Sequence, residues 1–194
     1  MSGVLADYDR VLRQRNRRLK SARASGVRGN QLSTLEIWDE RLIALGSELI
    51  GARGLLIAEL SPEVAIAYSA IAGEEHSASL ASYLSILSDG TGEREPEEAA
   101  DSIRRDRLTA EETAEHFRRA LERLRRAELE RGVTLAGPHR DDLVLTLNEL
   151  PARGYASHGE SWSFALSLKL ASAAVLRRES NAGDPVLILD DVFA

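Results

Sequence analysis

The sequence predicts an α/β protein in two parts, a mainly helical arm at residues 1–130 followed by part of an α/β domain at residues 131–194. In the first part, apolar residues recur every three or four positions, as they do on the buried face of a helix. After Gly132 the stretch DLVLTLNEL alternates between apolar and polar residues, which is the pattern of a strand. The chain then closes on PVLILDDVFA, whose aliphatic run is typical of a strand buried on both faces in a parallel sheet.

Two helices open the predicted arm and pair as a hairpin. Residues 4–23 form the first helix, and the second begins at Ser33 within a Ser-x-x-Glu capping box. Because only a short polar turn at 25–30 separates them, the two helices are expected to pack antiparallel. Ser61 and Pro62 predict that the helix is interrupted and starts again. The glycines that predict close packing or a bend in the second helix are Gly46, Gly51 and Gly54.

A strand, a loop and a third helix complete the predicted arm. Residues 77–87 are expected to form a strand, and residues 88–101 an exposed acidic loop. Thr109 and Glu112 make a capping box that starts the third helix. The apolar face predicted for this helix consists of Ala114, Phe117, Leu121 and Leu124. The ion pairs predicted on its exposed side are Glu115–Arg119 and Glu122–Arg126.

The α/β part begins with a predicted hairpin. The leucines expected on one face of its first strand are Leu143, Leu145 and Leu147. The segment from Asn148 to Pro151 is predicted to turn the chain, and ARGYAS to return as the partner strand. A helix follows at about 160–178, and the buried strand PVLILDD comes after it.

The composition is that of a globular protein without disulfides. Of the 194 residues, 43% are hydrophobic and 29% are charged. The absence of cysteine excludes disulfides and thiolate metal sites, and the four histidines lack the spacing of metal ligands. No apolar run approaches the length of a membrane span, and the amino terminus lacks the layout of a signal peptide. These features predict a cytoplasmic protein.

A basic segment near the amino terminus contrasts with the net charge of −6. Its eight cations, with no acid between them, are Arg10, Arg13, Arg15, Arg17, Arg18, Lys20, Arg23 and Arg28. They are candidates for contacts with DNA phosphates, and a solvated arginine-rich helix face explains them equally well. Stacking aromatic residues are absent nearby, so readout of bases is not expected.

Two acids at the end of the chain suggest metal and water chemistry. Asp190 and Asp191 follow the aliphatic run, at the carboxyl end of the strand, where open α/β sheets place their ligands. Adjacent residues on a strand point in opposite directions, so one acid can hold Mg²⁺ while the other polarises an attacking water. This is the Walker B arrangement of an ATPase. The alternative is a strand that ends in a solvated turn.

A second motif lies immediately before the last helix. Ser157 and Gly159 precede amides and a helix dipole that favour a bound phosphate. The alternative is a serine-capped helix, because Ser157 and Glu160 also have the spacing of a capping box. A phosphate loop of the Walker A type is missing, since neither Lys20 nor Lys169 lies in one.

These motifs occur together and in order in one family. The stretches GPHRDD, Ser-x-Gly-Glu and LILDDVF resemble the carboxy-terminal part of the RecF family, which are recombination mediators among the SMC-like ABC ATPases. The resemblance is close over 131–194 and looser through the arm, as in LADYDRVLRQRN. It implies a partial α/β ABC-ATPase-like head with a mainly helical arm subdomain that contains an antiparallel helical hairpin.

The resemblance also implies roles for single residues. Ser157, Gly159 and Glu160 would form the signature motif, which contacts the γ-phosphate of ATP bound to the opposite subunit. Asp190 would be the Walker B acid near Mg²⁺, and Asp191 would stand in the position of the catalytic base. The GPHRDD motif is either a structural turn or a phosphate or DNA contact.

The function implied is that of an ATP-dependent DNA-binding protein of recombinational repair and replication. It would bind single-stranded, gapped or linear double-stranded DNA, dimerise with ATP, and support recombinase loading and the SOS response with RecO- and RecR-like partners. The intact protein would be a weak DNA-dependent ATPase. This chain, expected to be a fragment without the Walker A region and the carboxy-terminal end, would bind ATP poorly and hydrolyse none. The alternatives are another SMC-like ATPase and a helical protein-interaction module.

Overall fold

A computed structural model describes residues 2–25, 32–89, 102–104, 106–180 and 183–188. The helices are α1 (Ser2–Ser25), α2 (Leu32–Ala72), α3 (Ala110–Arg131), α4 (Ala152–Tyr155) and α5 (His158–Glu179). The strands are β1 (Ala78–Tyr83), β2 (Ile103–Arg104), β3 (Asp142–Leu147) and β4 (Leu150–Pro151). They form one sheet in the order β2-β1-β3-β4, in which β1 pairs antiparallel with β2 and β3 pairs antiparallel with β4.

The chain divides into two compact units, each built from two stretches of sequence. Unit 1 comprises Met1–Gly54 and Ser82–Asp142, and unit 2 comprises Leu55–Ala81 and Leu143–Ala194. Both α2 and β1 contribute residues to each unit. The boundary expected between arm and head after residue 130 stays a prediction.

In unit 1, α1 and the first half of α2 run antiparallel, as the sequence predicts. Arg15 of α1 bonds to Asp39 of α2, while Tyr8, earlier on α1, lies against Gly46, later on α2. A methyl group at Gly46 would lie 2.5 Å from a ring carbon of Phe117, so this glycine permits the close packing expected of it. Of the turn predicted at 25–30 between the helices, Ser25 is the last residue of α1, and residues 26–30 lie outside the described residues.

The core of unit 1 is formed by apolar faces of three helices. Its buried residues on α1, α2 and α3 are Tyr8, Val11, Leu42, Ile43, Leu49, Ile50, Phe117, Ala120, Leu121 and Leu124. The face predicted for α3 is thus confirmed, with Ala114 packed partly buried against the same cluster. Burial of these side chains is the main favourable contribution to the packing of the three helices.

Helix α3 begins where the sequence predicts. Thr109 and Glu112 form the capping box, in which the Thr109 amide donates to Glu112 at 2.8 Å. The Glu115–Arg119 pair forms at 2.8 Å. The predicted Glu122–Arg126 pair was wrong, because Arg126 bonds to Glu130 at the next turn instead. Both are exposed i,i+4 pairs, whose choice of partner is set by small energies.

Helix α2 continues through the predicted break, so the expected restart at Ser61 and Pro62 was wrong. Val64 and Tyr68, just beyond the proline, are fully buried in unit 2. Their packing outweighs the local signal for a helix start. Over Leu35–Ala72, α2 is also long and apolar enough to cross a membrane by length and composition, contrary to the expectation from the sequence. The core helix of a soluble protein passes the same test of length and composition.

Unit 2 contains the predicted hairpin, with differences in detail. Asn148 and Glu149 adopt left-handed φ angles of 50° and 65°, which suits the tight turn between β3 and β4. The returning strand is Leu150–Pro151, which the sequence assigns to the turn. The predicted partner strand ARGYAS was wrong, because Ala152–Tyr155 form α4 and Ser157 caps α5. The predicted apolar face of β3 was partly wrong, since Leu143 is 36% exposed while Val144 on the opposite face is buried.

The aliphatic run near the carboxyl end is not a buried strand in the described residues. Residues 183–188 have no strand geometry, and Val186 and Ile188 are 87% and 86% exposed. A strand of this type is stabilised by hydrogen bonds to neighbouring strands and by cover on its faces. Neither is provided to residues 183–188 by the described part of the chain.

Candidate functional site

The turn before α5 is built by reciprocal capping between Ser157 and Glu160. The Glu160 amide donates to the Ser157 hydroxyl at 3.3 Å, and the Ser157 amide donates to the Glu160 carboxylate at 2.7 Å. Hydrogen bonds from Ser157 hold the pKa of the Glu160 carboxyl below its ordinary value. The capping-box interpretation of this motif is therefore confirmed, and it fixes where the 22-residue helix begins.

The same turn is open to an incoming anion. Ser157 and Gly159 are exposed, and no atom outside the local backbone lies within 4 Å of the place where a Gly159 side chain would start. The amides of the first helical turn have no carbonyl partner within the helix, and they lie at the positive end of the helix dipole. Such a helix start binds phosphate well. We call residues 157–160 the signature turn.

A residue that the sequence analysis missed lies close to the signature turn. The ring of Tyr68 packs against Phe164, with ring centroids 5.5 Å apart, and Phe164 lies one helical turn after Glu160 on the same face of α5. Tyr68 is fully buried in unit 2. Its position on α2 gives no sign of this contact, because the two residues are distant in sequence.

The two acids predicted for metal and water chemistry, Asp190 and Asp191, lie outside the described residues. Within the described residues, no three acidic or histidine side chains gather as a group that would hold a metal ion.

The basic segment of α1 is only partly available to a ligand. Arg10 pairs with Asp7 at 3.5 Å, and Arg13 pairs with Asp9. Arg28 lies outside the described residues. The cations that are exposed beyond these ion pairs are Arg17, Arg18, Lys20 and Arg23. We call these four residues the basic end of α1.

Arg15 must be removed from the candidate DNA contacts, because it is completely buried. Its guanidinium donates to Asp39 at 2.7 Å, to Glu128 at 2.6 Å and to Thr134 at 2.7 Å. Burial by itself would lower the pKa of Arg15, but the charges of Glu128 and Asp39 outweigh this effect and raise the pKa above its ordinary value. The residue therefore joins the three helices of unit 1, and its complete burial keeps the guanidinium away from a phosphate.

The GPHRDD motif forms a turn held by side chains of its own unit. The Tyr8 hydroxyl donates to His139 Nδ1 at 2.8 Å, and His139 Nε2 donates to the Thr134 carbonyl at 3.3 Å. Burial lowers the pKa of His139 to about 4, which keeps the ring neutral. Asp141 accepts from both the amide and the hydroxyl of Ser85. These contacts favour the structural interpretation of the motif.

Comparisons with known proteins place the chain in one group. No family model matches it. It is 58% identical over 195 residues to the DNA replication and repair protein RecF of Clavibacter sepedonicus, and the match covers 100% of this chain and 48% of that protein. It is 57% identical over 194 residues to the RecF of Leifsonia xyli subsp. xyli, covering 100% of this chain and 49% of that protein.

Solved structures give the same result. The structure of the recombination mediator protein RecF with ATP, in the RecFOR pathway, matches with a TM-score of 0.78 and 26% identity. A second structure of that protein, described as RecF-ATPrS, also matches with a TM-score of 0.78, at 28% identity. Each match covers 97% of this chain and 45% of the other. The predicted fold class, a partial ABC-ATPase-like head with a mainly helical arm, is thereby confirmed. The chain spans about half the length of the curated relatives that it matches, and over its whole length it is similar to proteins named DNA replication and repair protein RecF.

Proposed function

We propose that this chain supplies one side of a shared ATP site in an ATP-dependent DNA-binding protein of recombinational repair and replication. The observation that carries the proposal is the exposed signature turn, where an unobstructed glycine lies in the first turn of a long helix. The likeness to RecF solved with ATP supports the nucleotide as the source of the phosphate.

Each residue of the proposed site has a separate task. The Ser157 hydroxyl and the Gly159 amide would bind the γ-phosphate of ATP held by a second copy of the protein. Asp190 would be the carboxylate ligand of Mg²⁺, an ion that prefers oxygen ligands and neutralises phosphate charge when bound. Asp191 would accept a proton from the attacking water. Because neither lysine of this chain lies in a phosphate loop, the chain by itself would bind ATP weakly and would not hydrolyse it.

The basic end of α1 would contact the DNA backbone. Its four exposed cations can neutralise phosphates of single-stranded, gapped or linear double-stranded DNA without reading bases. Dimerisation driven by ATP would close the protein on such DNA in the cytoplasm. The bound dimer would then support recombinase loading and the SOS response together with RecO- and RecR-like mediators.

The test uses a longer chain that contains an ATP-binding half. In the RecF of Clavibacter sepedonicus, the matched segment is replaced by these 194 residues, and we call the product the exchange protein. Sedimentation with and without ATP measures dimer formation, and phosphate release measures turnover. Asp191→Asn is expected to abolish turnover and to leave an ATP-bound dimer that persists, because the acid that activates water is lost while phosphate binding is retained.

Asp184→Asn is the matched control, since Asp184 is an exposed acid of the same segment that pairs with Arg177. Its turnover should equal that of the unsubstituted exchange protein. Unchanged turnover in Asp191→Asn would reject the role of that acid. A failure of the unsubstituted exchange protein to dimerise with ATP would reject the shared site as a whole.

A further inference from the structure

Tyr68 carries a buried hydroxyl that has no hydrogen-bond partner among the described residues. The side chain is fully buried, so bulk water does not satisfy the group. Unpaired buried hydroxyls are rare because they lose the hydrogen bonds that they make in water. A phenylalanine would fill the same space without this penalty. The hydroxyl therefore points to a partner that becomes available in another state of the protein.

The surroundings of Tyr68 identify that partner. Its ring lies against Phe164 on α5 and edge-on to His76, with centroids 6.4 Å apart in the second case. Because Phe164 is four residues after Glu160, both project from the same face of α5. Burial is the main cause that raises the pKa of Tyr68, and the negative charge of Glu160 raises it further, which agrees with this proximity.

Glu160 is held by the capping box in the structure. One carboxylate oxygen accepts the Ser157 amide, and the Ser157 hydroxyl accepts the Glu160 amide. If the Ser157 amide and hydroxyl turn to a phosphate, the Glu160 carboxylate loses its donor. It can then accept a hydrogen bond from the hydroxyl of Tyr68, whose ring packs against Phe164 one helical turn further along the same face of α5.

We propose that Tyr68 is a positioning residue for the signature turn, whose hydroxyl donates to the Glu160 carboxylate when Ser157 engages the phosphate of a bound nucleotide. The inference rests on the proposed function of the turn. It adds a residue of α2 to the machinery and gives α5 two hydrogen-bonding arrangements, one without nucleotide and one with it. The hydroxyl acts through Glu160 and does not touch the nucleotide.

Tyr68→Phe tests the proposal, because it removes the hydroxyl and retains the ring that packs on Phe164. In the 194-residue chain, thermal unfolding is expected at the same temperature as in the unsubstituted chain or at a higher one. In the exchange protein, the ATP concentration for half-maximal dimer formation is expected to rise about tenfold, the effect of losing one hydrogen bond to a charged group. A purely structural residue would instead change stability.

A double-mutant cycle with Glu160→Ala tests whether the two residues act together. In the Glu160→Ala background, Tyr68→Phe is expected to cause no further change in the ATP midpoint. Tyr83→Phe is the control, since Tyr83 is a buried tyrosine that belongs to unit 1. It should leave the ATP midpoint unchanged.

Three results would overturn the proposal. The first is an unchanged ATP midpoint in Tyr68→Phe, and the second is a lower unfolding temperature of the substituted chain. The third is an additive effect of the two substitutions in the cycle. These outcomes differ from the one expected if the proposed shared ATP site is wrong. In that case the exchange protein with Tyr68 intact would form no ATP-dependent dimer.

Discussion

Replacing the buried arginine of unit 1 tests the packing on which this unit depends. Arg15→Met keeps an unbranched apolar side chain but removes the hydrogen bonds to Asp39, Glu128 and Thr134. Two carboxylates, with side chains 8% and 0% exposed, then lose their shared cation. Removing one partner from a buried ion pair costs about 3–5 kcal/mol of unfolding free energy.

The expected shift is large enough to measure in urea. The free energy of unfolding falls by about 1–3 kcal/mol for each molar of urea. A loss of about 3 kcal/mol in this free energy therefore lowers the urea concentration at the unfolding midpoint by roughly 1–3 M. The chain has two tryptophans, and Trp38 packs against the core of unit 1 whereas Trp162 belongs to unit 2. In a Trp162→Phe background, fluorescence therefore reports the unfolding of unit 1.

Arg17→Met is the matched control, because Arg17 is an exposed arginine on the same helix. Its unfolding free energy should change by no more than about 0.5 kcal/mol. Asp39 keeps its ion pair with Arg125 in Arg15→Met, whereas the charge of Glu128 is left without a cation. Adding Glu128→Gln to Arg15→Met should therefore recover part of the loss, since a neutral amide carries no charge and still accepts the hydrogen bond from the Leu135 amide. Equal midpoints for Arg15→Met and Arg17→Met would refute the reasoning.

Three further outcomes follow from the contacts of unit 1. Gly46→Ala should destabilise the chain by about 1–3 kcal/mol, because the new methyl group would lie 2.5 Å from an aromatic ring carbon. Gly51→Ala should instead stabilise it by up to about 1 kcal/mol, since no atom outside the local backbone lies within 4 Å of the new methyl group. Equal urea midpoints for the two variants would contradict this. Because the pKa of His139 is lowered to about 4 in the folded chain, the unfolded chain binds more protons than the folded chain between pH 6.5 and about 4. The free energy of unfolding should therefore fall as the pH falls through this range, and it should fall less in His139→Gln. Parallel pH profiles of the two chains would contradict this prediction. Arg18→Gln in the exchange protein should weaken DNA binding and reduce the slope of log affinity against log salt concentration by about 1. Arg126→Gln on α3 should change neither quantity. Equal effects of the two substitutions would show that the basic end of α1 does not contact DNA.

The features predicted correctly from the sequence are those encoded over a few residues. The capping boxes at Thr109 and Ser157 depend on a partner three positions away, and both form. The hairpin turn at Asn148 depends on its own φ angle and that of the next residue. Such signals are local, so a single sequence contains them in full.

The features that the sequence did not reveal depend on distant partners. The sequence places Arg15 among the surface cations, because its buried partners, Asp39 and Glu128, lie 24 and 113 residues away. Pro62 predicts a helix start locally, because the burial of neighbouring residues in unit 2 cannot be read from local propensity. The last aliphatic run predicts a buried strand, although a strand of that type forms only with neighbours on both sides.

The most direct test of the central claim is a structure of the exchange protein bound to a non-hydrolysable ATP analogue. The account predicts a dimer in which the Ser157 hydroxyl and the Gly159 amide of one copy lie about 3 Å from γ-phosphate oxygens of the nucleotide held by the other copy. A structure in which the signature turn faces solvent, away from every nucleotide phosphate, would contradict it.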